Sequence, residues 1–305
     1  MISPRYILLF VVLVTQRLHA QDTAPARFLS PLACVSKGKV EGRNIVVCDG
    51  LKFQVSQKGH DAYNQFGISH DTKVSGIKVG SINFRSLPTY EELDNGAYSK
   101  KLHLDLYDYH DLNGNKNREL IKAGDNIYVT FLVRFMTRAP APIPGSKFDN
   151  DDPRYRRSLF FQFWPGGVAT HFNSSAASES ETEPEKFGYV TVLTADYGTN
   201  KSTLSKKFDV ERGKWYRIYF QYNPDVTDGR ILARVALHQQ DQITDEMQTL
   251  IDTRGNTLYA DKSHRRILPT FGHYHWGGSP NIVETHFTEV RISKSPIARL
   301  VVGQQ

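Results

Sequence analysis

The chain has 305 residues and a formal net charge of +6, with 38 Lys and Arg against 32 Asp and Glu. Its densest basic runs, Arg154-Tyr155-Arg156-Arg157 and His264-Arg265-Arg266, fall short of a nucleic-acid patch and read as solvated faces or turns. Two cysteines, Cys34 and Cys48, can neither build a disulfide-rich scaffold nor make a metal site.

From the N-terminus, Arg5 precedes a short apolar run, Tyr6 to Val14, and Leu18-His19-Ala20 ends in a small residue. This reads as a secretory signal peptide over residues 1–20, too short to span a membrane. The expected mature protein is exported to the extracellular space, needs no membrane, and carries +4 once Arg5 and Arg17 are gone. Residues 21–305 then suffice for a single domain, its core expected over residues 29 to 298. In an oxidising compartment Cys34 and Cys48 should pair, closing a short loop for roughly 3 kcal/mol. Asn173-Ser174-Ser175 and Asn200-Lys201-Ser202 are glycosylation sequons in polar, loop-like stretches, making Asn173 and Asn200 the acceptors.

Period two dominates the rest of the chain. Ile127 to Phe135, Ser158 to Trp164, Tyr189 to Thr194 and Thr285 to Ile292 read as strands. Tyr216, Ile218, Phe220 and Tyr222 share one face of another. The segment from Pro224 to Gly229 breaks that run, and Ile231, Ala233, Val235 and Leu237 resume it, which is the pattern of a hairpin. Thr244 to Asp252 fits a short helix or a loop; Pro140 to Pro153 and Ser174 to Lys186 read as loops. Many strands separated by turn-rich connections, with almost no helical period, predict an all-β jelly-roll sandwich of two antiparallel sheets, one of them concave and forming a groove.

The densest chemistry lies in Phe271-Gly272-His273-Tyr274-His275-Trp276. On a strand, His273 and His275 take one face and Tyr274 and Trp276 the other. Phenol and imidazole move protons and indole stacks on sugar rings, so the segment suits carbohydrate chemistry as well as an aromatic core. Earlier, Asn117-Arg118-Glu119-Leu120 precedes the strand from Ile127, and Gln162 is the lone polar residue of Phe160-Phe161-Gln162-Phe163-Trp164. Gln162 equally fits a buried amide, and Arg118 with Glu119 an exposed ion pair. Trp215 reads as core, while Trp164 and Trp276 fit either packing or sugar stacking.

The order of these motifs resembles the jelly-roll, concanavalin A-like polysaccharide lyases: the alginate lyase, heparin lyase I-like and glucuronan lyase group. Those enzymes carry an Arg-x-Glu-type strand, a Gln-x-His strand, a Gly-x-Trp-type hairpin strand and a final Gly-x-Tyr strand. Arg118 and Glu119 match the first motif, Gln162 the second, Gly213 and Trp215 the third, and Gly272 and Tyr274 the last. The sequence departs from the pattern at Trp164, where the family has histidine, at Thr270, where alginate lyases of this type have lysine, and at Trp276, where they have glutamine. Lys122 is the nearest base to the missing arginine of the first motif. The resemblance implies a secreted lyase that cleaves a uronic-acid polysaccharide by β-elimination, with Tyr274, Gln162 and Arg118 as catalytic residues. Glu119, Trp164, His171, Tyr189, His273, His275 and Trp276 would line the substrate, and His171, His273 or His275 would take the role of the absent histidine. The partner is an anionic polysaccharide; no cofactor and no metal are needed, and a monomer suffices. A non-catalytic carbohydrate-binding protein on the same scaffold is the alternative.

Other chemistries find less in the chain. Asp111, Asn113, Asn115 and Asn117 alternate like a calcium loop, but Lys116 and Lys122 stand where an EF-hand needs glycine and glutamate. There is no Gly-x-Ser-x-Gly elbow, His-Glu-x-x-His helix, phosphate loop or dinucleotide fingerprint. Glu284 and Glu289 do not alternate as a strand-borne pair of hydrolase carboxylates would.

Overall fold

The computed structural model describes residues 35–40, 43–48, 51–58, 64–74, 77–86, 99–110, 116–117, 123–137, 157–164, 166–174, 187–196, 198–199, 201–238, 247–258, 267–276 and 282–297. The signal segment, Cys34, Arg118, Glu119, Asn200 and the loop from Pro140 to Pro153 lie outside the described residues, as does all of the calcium-like loop but Lys116 and Asn117.

The described residues form eighteen strands: β1 (Val35–Val40), β2 (Arg43–Cys48), β3 (Leu51–Lys58), β4 (Asn64–Val74), β5 (Ile77–Ser86), β6 (Ser99–His110), β7 (Lys116–Asn117), β8 (Ile127–Phe135), β9 (Arg157–Trp164), β10 (Val168–Ser174), β11 (Gly188–Asp196), β12 (Lys201–Leu204), β13 (Phe208–Val210), β14 (Tyr216–Asn223), β15 (Gly229–Leu237), β16 (Gln248–Gly255), β17 (Leu268–Trp276) and β18 (Val283–Ser293). They build two antiparallel sheets. The larger has the order β1-β2-β3-β6-β17-β9-β10-β11-β12, with β13 beside β11 and β7 beside β6. The smaller runs β16-β15-β14-β8-β18-β5-β4. The last two strands enter the middle of both sheets, β17 between β6 and β9 and β18 between β8 and β5. The chain is a jelly-roll sandwich, closed only when its final strands insert.

Alternation explains the packing. In β8 the residues Ile127, Val129, Phe131, Val133 and Phe135 are fully buried between the sheets. Phe220 and Tyr222 of β14 and Phe287 of β18 join them from the smaller sheet, and Phe161, Phe163 and Phe271 from the larger. Phe131 is the hub, with ring centroids 5.1 Å from Phe161, 5.4 Å from Phe271, 5.7 Å from Phe287 and 6.5 Å from Phe160. Trp215 is buried as expected, but in a satellite cluster with Val74 and Leu132. There its indole donates to the carbonyl of Lys73 at 3.1 Å, and the Arg134 guanidinium lies 4.8 Å from its ring centroid.

The hairpin predicted around Pro224 to Gly229 is β14–β15, and its turn is held by Asp225, whose Oδ1 accepts from the Thr227 amide at 2.8 Å and its hydroxyl at 2.8 Å. Before it, Gly213 takes φ +76°, a conformation glycine adopts freely, and donates to the Phe135 carbonyl at 3.0 Å. Thr244 to Asp252 is corrected: of its described residues, Gln248 to Asp252 belong to edge strand β16. The open edge of β15 supplies unpaired backbone groups, and a register shift there lets both Leu250 and Ile251 turn inward. Arg230 then grips Asp252 at 2.8 and 2.9 Å.

Candidate functional site

The candidate site is the outer face of the larger sheet where β17, β9, β10 and β11 lie side by side. In β9, Phe161 and Phe163 point into the core, so Gln162 and Trp164 must point out. Phe160 is also core, because β9 carries an extra residue against β10 between the pairs Phe161–Thr170 and Leu159–His171. That bulge brings Leu159 and Arg157 to the outer face. A second bulge lies in β17 opposite it, where Phe271 pairs with Phe161 and Tyr274 with Leu159. Gly272 permits it, with φ +141°, a backbone state strained for any side chain.

Register then arranges the outward residues in rows across the strands. One row holds Thr270, Gln162, Ala169 and Leu193; the next holds Tyr274, Leu159, His171 and Thr191; a third holds Arg157, Asn173 and Tyr189. Trp164 lies beyond the first row, opposite Leu268. Strand spacing puts Tyr274 and His171, on either side of Leu159, about 10 Å apart at Cα. Beside β17, β6 brings Asp105, His103 and Lys101 into register with Thr270, Gly272 and Tyr274.

Of the sequence candidates, Gln162, Trp164, His171, Tyr189 and Tyr274 thus share one face. Trp164 is 56% exposed and Tyr274 41%. His273 does not belong with them: it is wholly buried on the core side, its Nε2 bonded to Ser86 Oγ at 2.5 Å and its ring edge-on to Phe84. Alternation forces this, since Phe271 two residues earlier also points inward. His275 and Trp276 have described backbone only, paired with Lys100 and Ser99. Asn173, expected in a loop, lies in β10 and donates to Thr191 Oγ1 at 3.2 Å.

Arg157 is the residue that sequence reasoning missed, having been placed on a solvated run. It is half-buried in β9, and its Nη2 lies 3.2 Å from His171 Nδ1. A guanidinium only donates, so Nδ1 accepts and the proton of neutral His171 sits on Nε2. Counting alternation back from Gln162 turns Arg157 inward; only the bulge at Phe160 turns it out, and no local signal announces a bulge. Burial lowers the basicity of Arg157, with the Tyr189 phenol partly offsetting that effect. Lys207 lies 4.4 Å from the Tyr189 ring centroid. Among the described side chains the one carboxylate in register with these rows is Asp209 of β13, exposed and paired with Tyr189. Glu284 and Glu289 lie in the smaller sheet, where Glu284 binds His286 at 2.7 Å and Glu289 binds Arg217 at 2.6 Å.

Burial first, and the Arg157 charge second, lower the pKa of His171 to about 3. The unfolded chain takes up this proton below about pH 6.5, whereas the folded chain resists it until about pH 3. The contribution to stability is therefore complete above the higher value and is lost as pH falls between the two. His171→Gln should lose less stability than wild type on acidification from about pH 7 to about pH 4, read as the shift of the urea midpoint.

A cavity of about 140 Å³ opens elsewhere, between β11–β12 and β16, lined by Thr194, Asp196, Lys201, Thr253, Arg254 and Asn256 among others. It contains none of the candidate catalytic or substrate-binding residues.

No family profile matches the chain, and no curated protein matches it in sequence. The chain is similar to an endo-β-1,4-glucuronan lyase from the fungus Trichoderma reesei, at 9% identity and TM-score 0.46, over 85% of this chain and 94% of that one. It is similar to a GH131 β-glucanase catalytic domain from Podospora anserina, at 11% identity and TM-score 0.47, over 82% and 88% of the two chains. It is also similar to lectin I from Ulex europaeus, solved with the methyl glycoside of α-L-fucose, at 9% identity and TM-score 0.36, over 79% and 92%.

Proposed function

We propose that the protein is a secreted polysaccharide lyase that cleaves a uronic-acid polymer by β-elimination. The observation that carries this reading is the convergence of Gln162, Tyr274, His171, Tyr189 and Trp164 on one sheet face. β-Elimination needs the sugar carboxylate neutralised, the C5 proton removed and the leaving oxygen protonated as the C4–O bond breaks and the C4–C5 double bond forms. Gln162 offers amide donors to the carboxylate, and Arg118 a charged fork, as the family pattern implies. Tyr274, aromatic and accessible, abstracts or returns the proton; a cationic neighbour would favour its phenolate. A two-carboxylate hydrolase finds less support, since the described side chains in register with the three rows include a single acid, Asp209, at the β13 edge, and no pair. Trp164 supplies a stacking plate for a sugar ring.

The second reading, a non-catalytic carbohydrate-binding protein, has one observation in its favour: the position of the lyase histidine is held by Trp164, 56% exposed. Incubation with alginate, glucuronan and glycosaminoglycans separates the two. Growth of ultraviolet absorbance from the conjugated unsaturated product supports the lyase. Retention on the immobilised polymer without that growth supports the binding protein, and neither result removes both. The same proposal makes residues 1–20 a cleaved leader, pairs Cys34 with Cys48, and keeps Asn200 as a glycan acceptor on a monomer; Asn173, in register with Arg157 and bonded through Nδ2 to Thr191, is not kept as one, because a glycan there would cover the substrate face.

A further inference from the structure

We infer that Arg157 is a second arginine, beside Arg118, that recognises the acidic groups of the polymer, with His171 as the positioning residue that aims its guanidinium. The inference rests on the reading of this face as a site for an anionic polysaccharide, and it assigns part of the charge recognition to a residue outside the family motifs.

Three observations support it. Arg157 projects from β9 in the row next to Tyr274, on the face that also carries Gln162 and Trp164. Among the described residues no carboxylate pairs with it; its neighbours are the His171 imidazole at 3.2 Å and the Tyr189 phenol. Its Nε is buried and makes no hydrogen bond. A guanidinium removed in part from water with no carboxylate partner among the described residues is unfavourable, and a bound carboxylate relieves that cost. The planar fork suits a two-oxygen acceptor, and it stays charged at any working pH.

His171 makes this geometry persist. Its Nδ1 accepts from Nη2 and so fixes the plane of the fork, while its neutrality leaves the positive charge to Arg157 alone. The imidazole is nearly buried and has little freedom to turn. Asn173, in register with Arg157, and Thr191, in register with His171, are joined at 3.2 Å beside the pair. The bulge at Phe160 is what directs the whole arrangement outward.

The test compares full-length wild type, Arg157→Gln and Arg157→Lys on alginate, glucuronan and heparin, each against its carboxyl-reduced counterpart. The readouts are affinity from a polymer-binding assay, product absorbance and melting temperature. Arg157→Gln should weaken the preference for the acidic polymer over its reduced form by roughly 10- to 100-fold, the effect of one lost charged hydrogen-bonding group. Arg157→Lys should recover only part of it. His171→Leu should reduce the same preference, and His171→Asn, which keeps an acceptor near Nδ1, should restore it; a merely structural role would move melting temperature and leave the ratio alone. An unchanged ratio in folded Arg157→Gln overturns the inference and leaves the lyase reading standing. A wild type that neither binds nor cleaves any of the three acidic polymers overturns both.

Discussion

Tyr274→Phe is expected to lose lyase turnover by about 10²–10⁴-fold, the usual contribution of a group that moves a proton in the transition state. The substitution removes one oxygen and keeps the ring. Because Tyr274 is 41% exposed, its ring adds little to the core, and the variant should melt within a degree or two of wild type, equivalent to about 1 kcal/mol or less. The pairing of large kinetic and small thermal effects is the signature to look for. A structural tyrosine would give the opposite pair, with lower stability and unchanged turnover per folded molecule. Full activity in the variant would remove Tyr274 from the chemistry and leave the binding-protein reading as the better account of this face.

Phe131→Ala is expected to be the most destabilising of the single changes considered, by about 3–5 kcal/mol. Phe131 is fully buried and touches Phe160, Phe161, Phe271 and Phe287, drawn from strands of both sheets. Truncation leaves a void that the two sheets can close only by sliding, and antiparallel ladders on either side resist that. The measurement is the guanidinium midpoint at unchanged slope. Turnover should also fall, because Phe161 and Phe271 hold the inward faces of the two strands whose outward residues are Gln162 and Tyr274. Stability lost without any change in turnover per folded molecule would show that the site does not depend on this core contact.

Most of the architecture was legible because period two is written plainly in β8, β14, β15 and β18. Ile127 to Phe135 could hardly be anything but a strand between two layers. The turn at Asp225 and the aromatic strand at Gly272 were legible for the same reason: local chemistry and tertiary packing agree there. β16 was not, since Gln248 to Gly255 has weak alternation and becomes a strand only because β15 offers an unpaired edge. The site was half legible. Gln162, Trp164 and Tyr274 alternate with inward phenylalanines and could be assigned to a face. His273 was counted with the site, although alternation already set it opposite Tyr274. Arg157 was hidden by a bulge, which depends on a partner strand and leaves no mark on its own sequence beyond a pair of adjacent phenylalanines.

The bulge at Gly272 has an implication for how such a face changes over generations. Loss of that single codon would carry His273 outward and Tyr274 into the hydrophobic layer, exchanging a phenol for an imidazole at the surface while the backbone ladder with β6 could re-form. A lineage built on this sandwich can thus trade one proton carrier for another by length variation alone, without waiting for substitutions at either position. Insertions and deletions, commonly dismissed as damage when they fall inside a strand, are here a route to new chemistry.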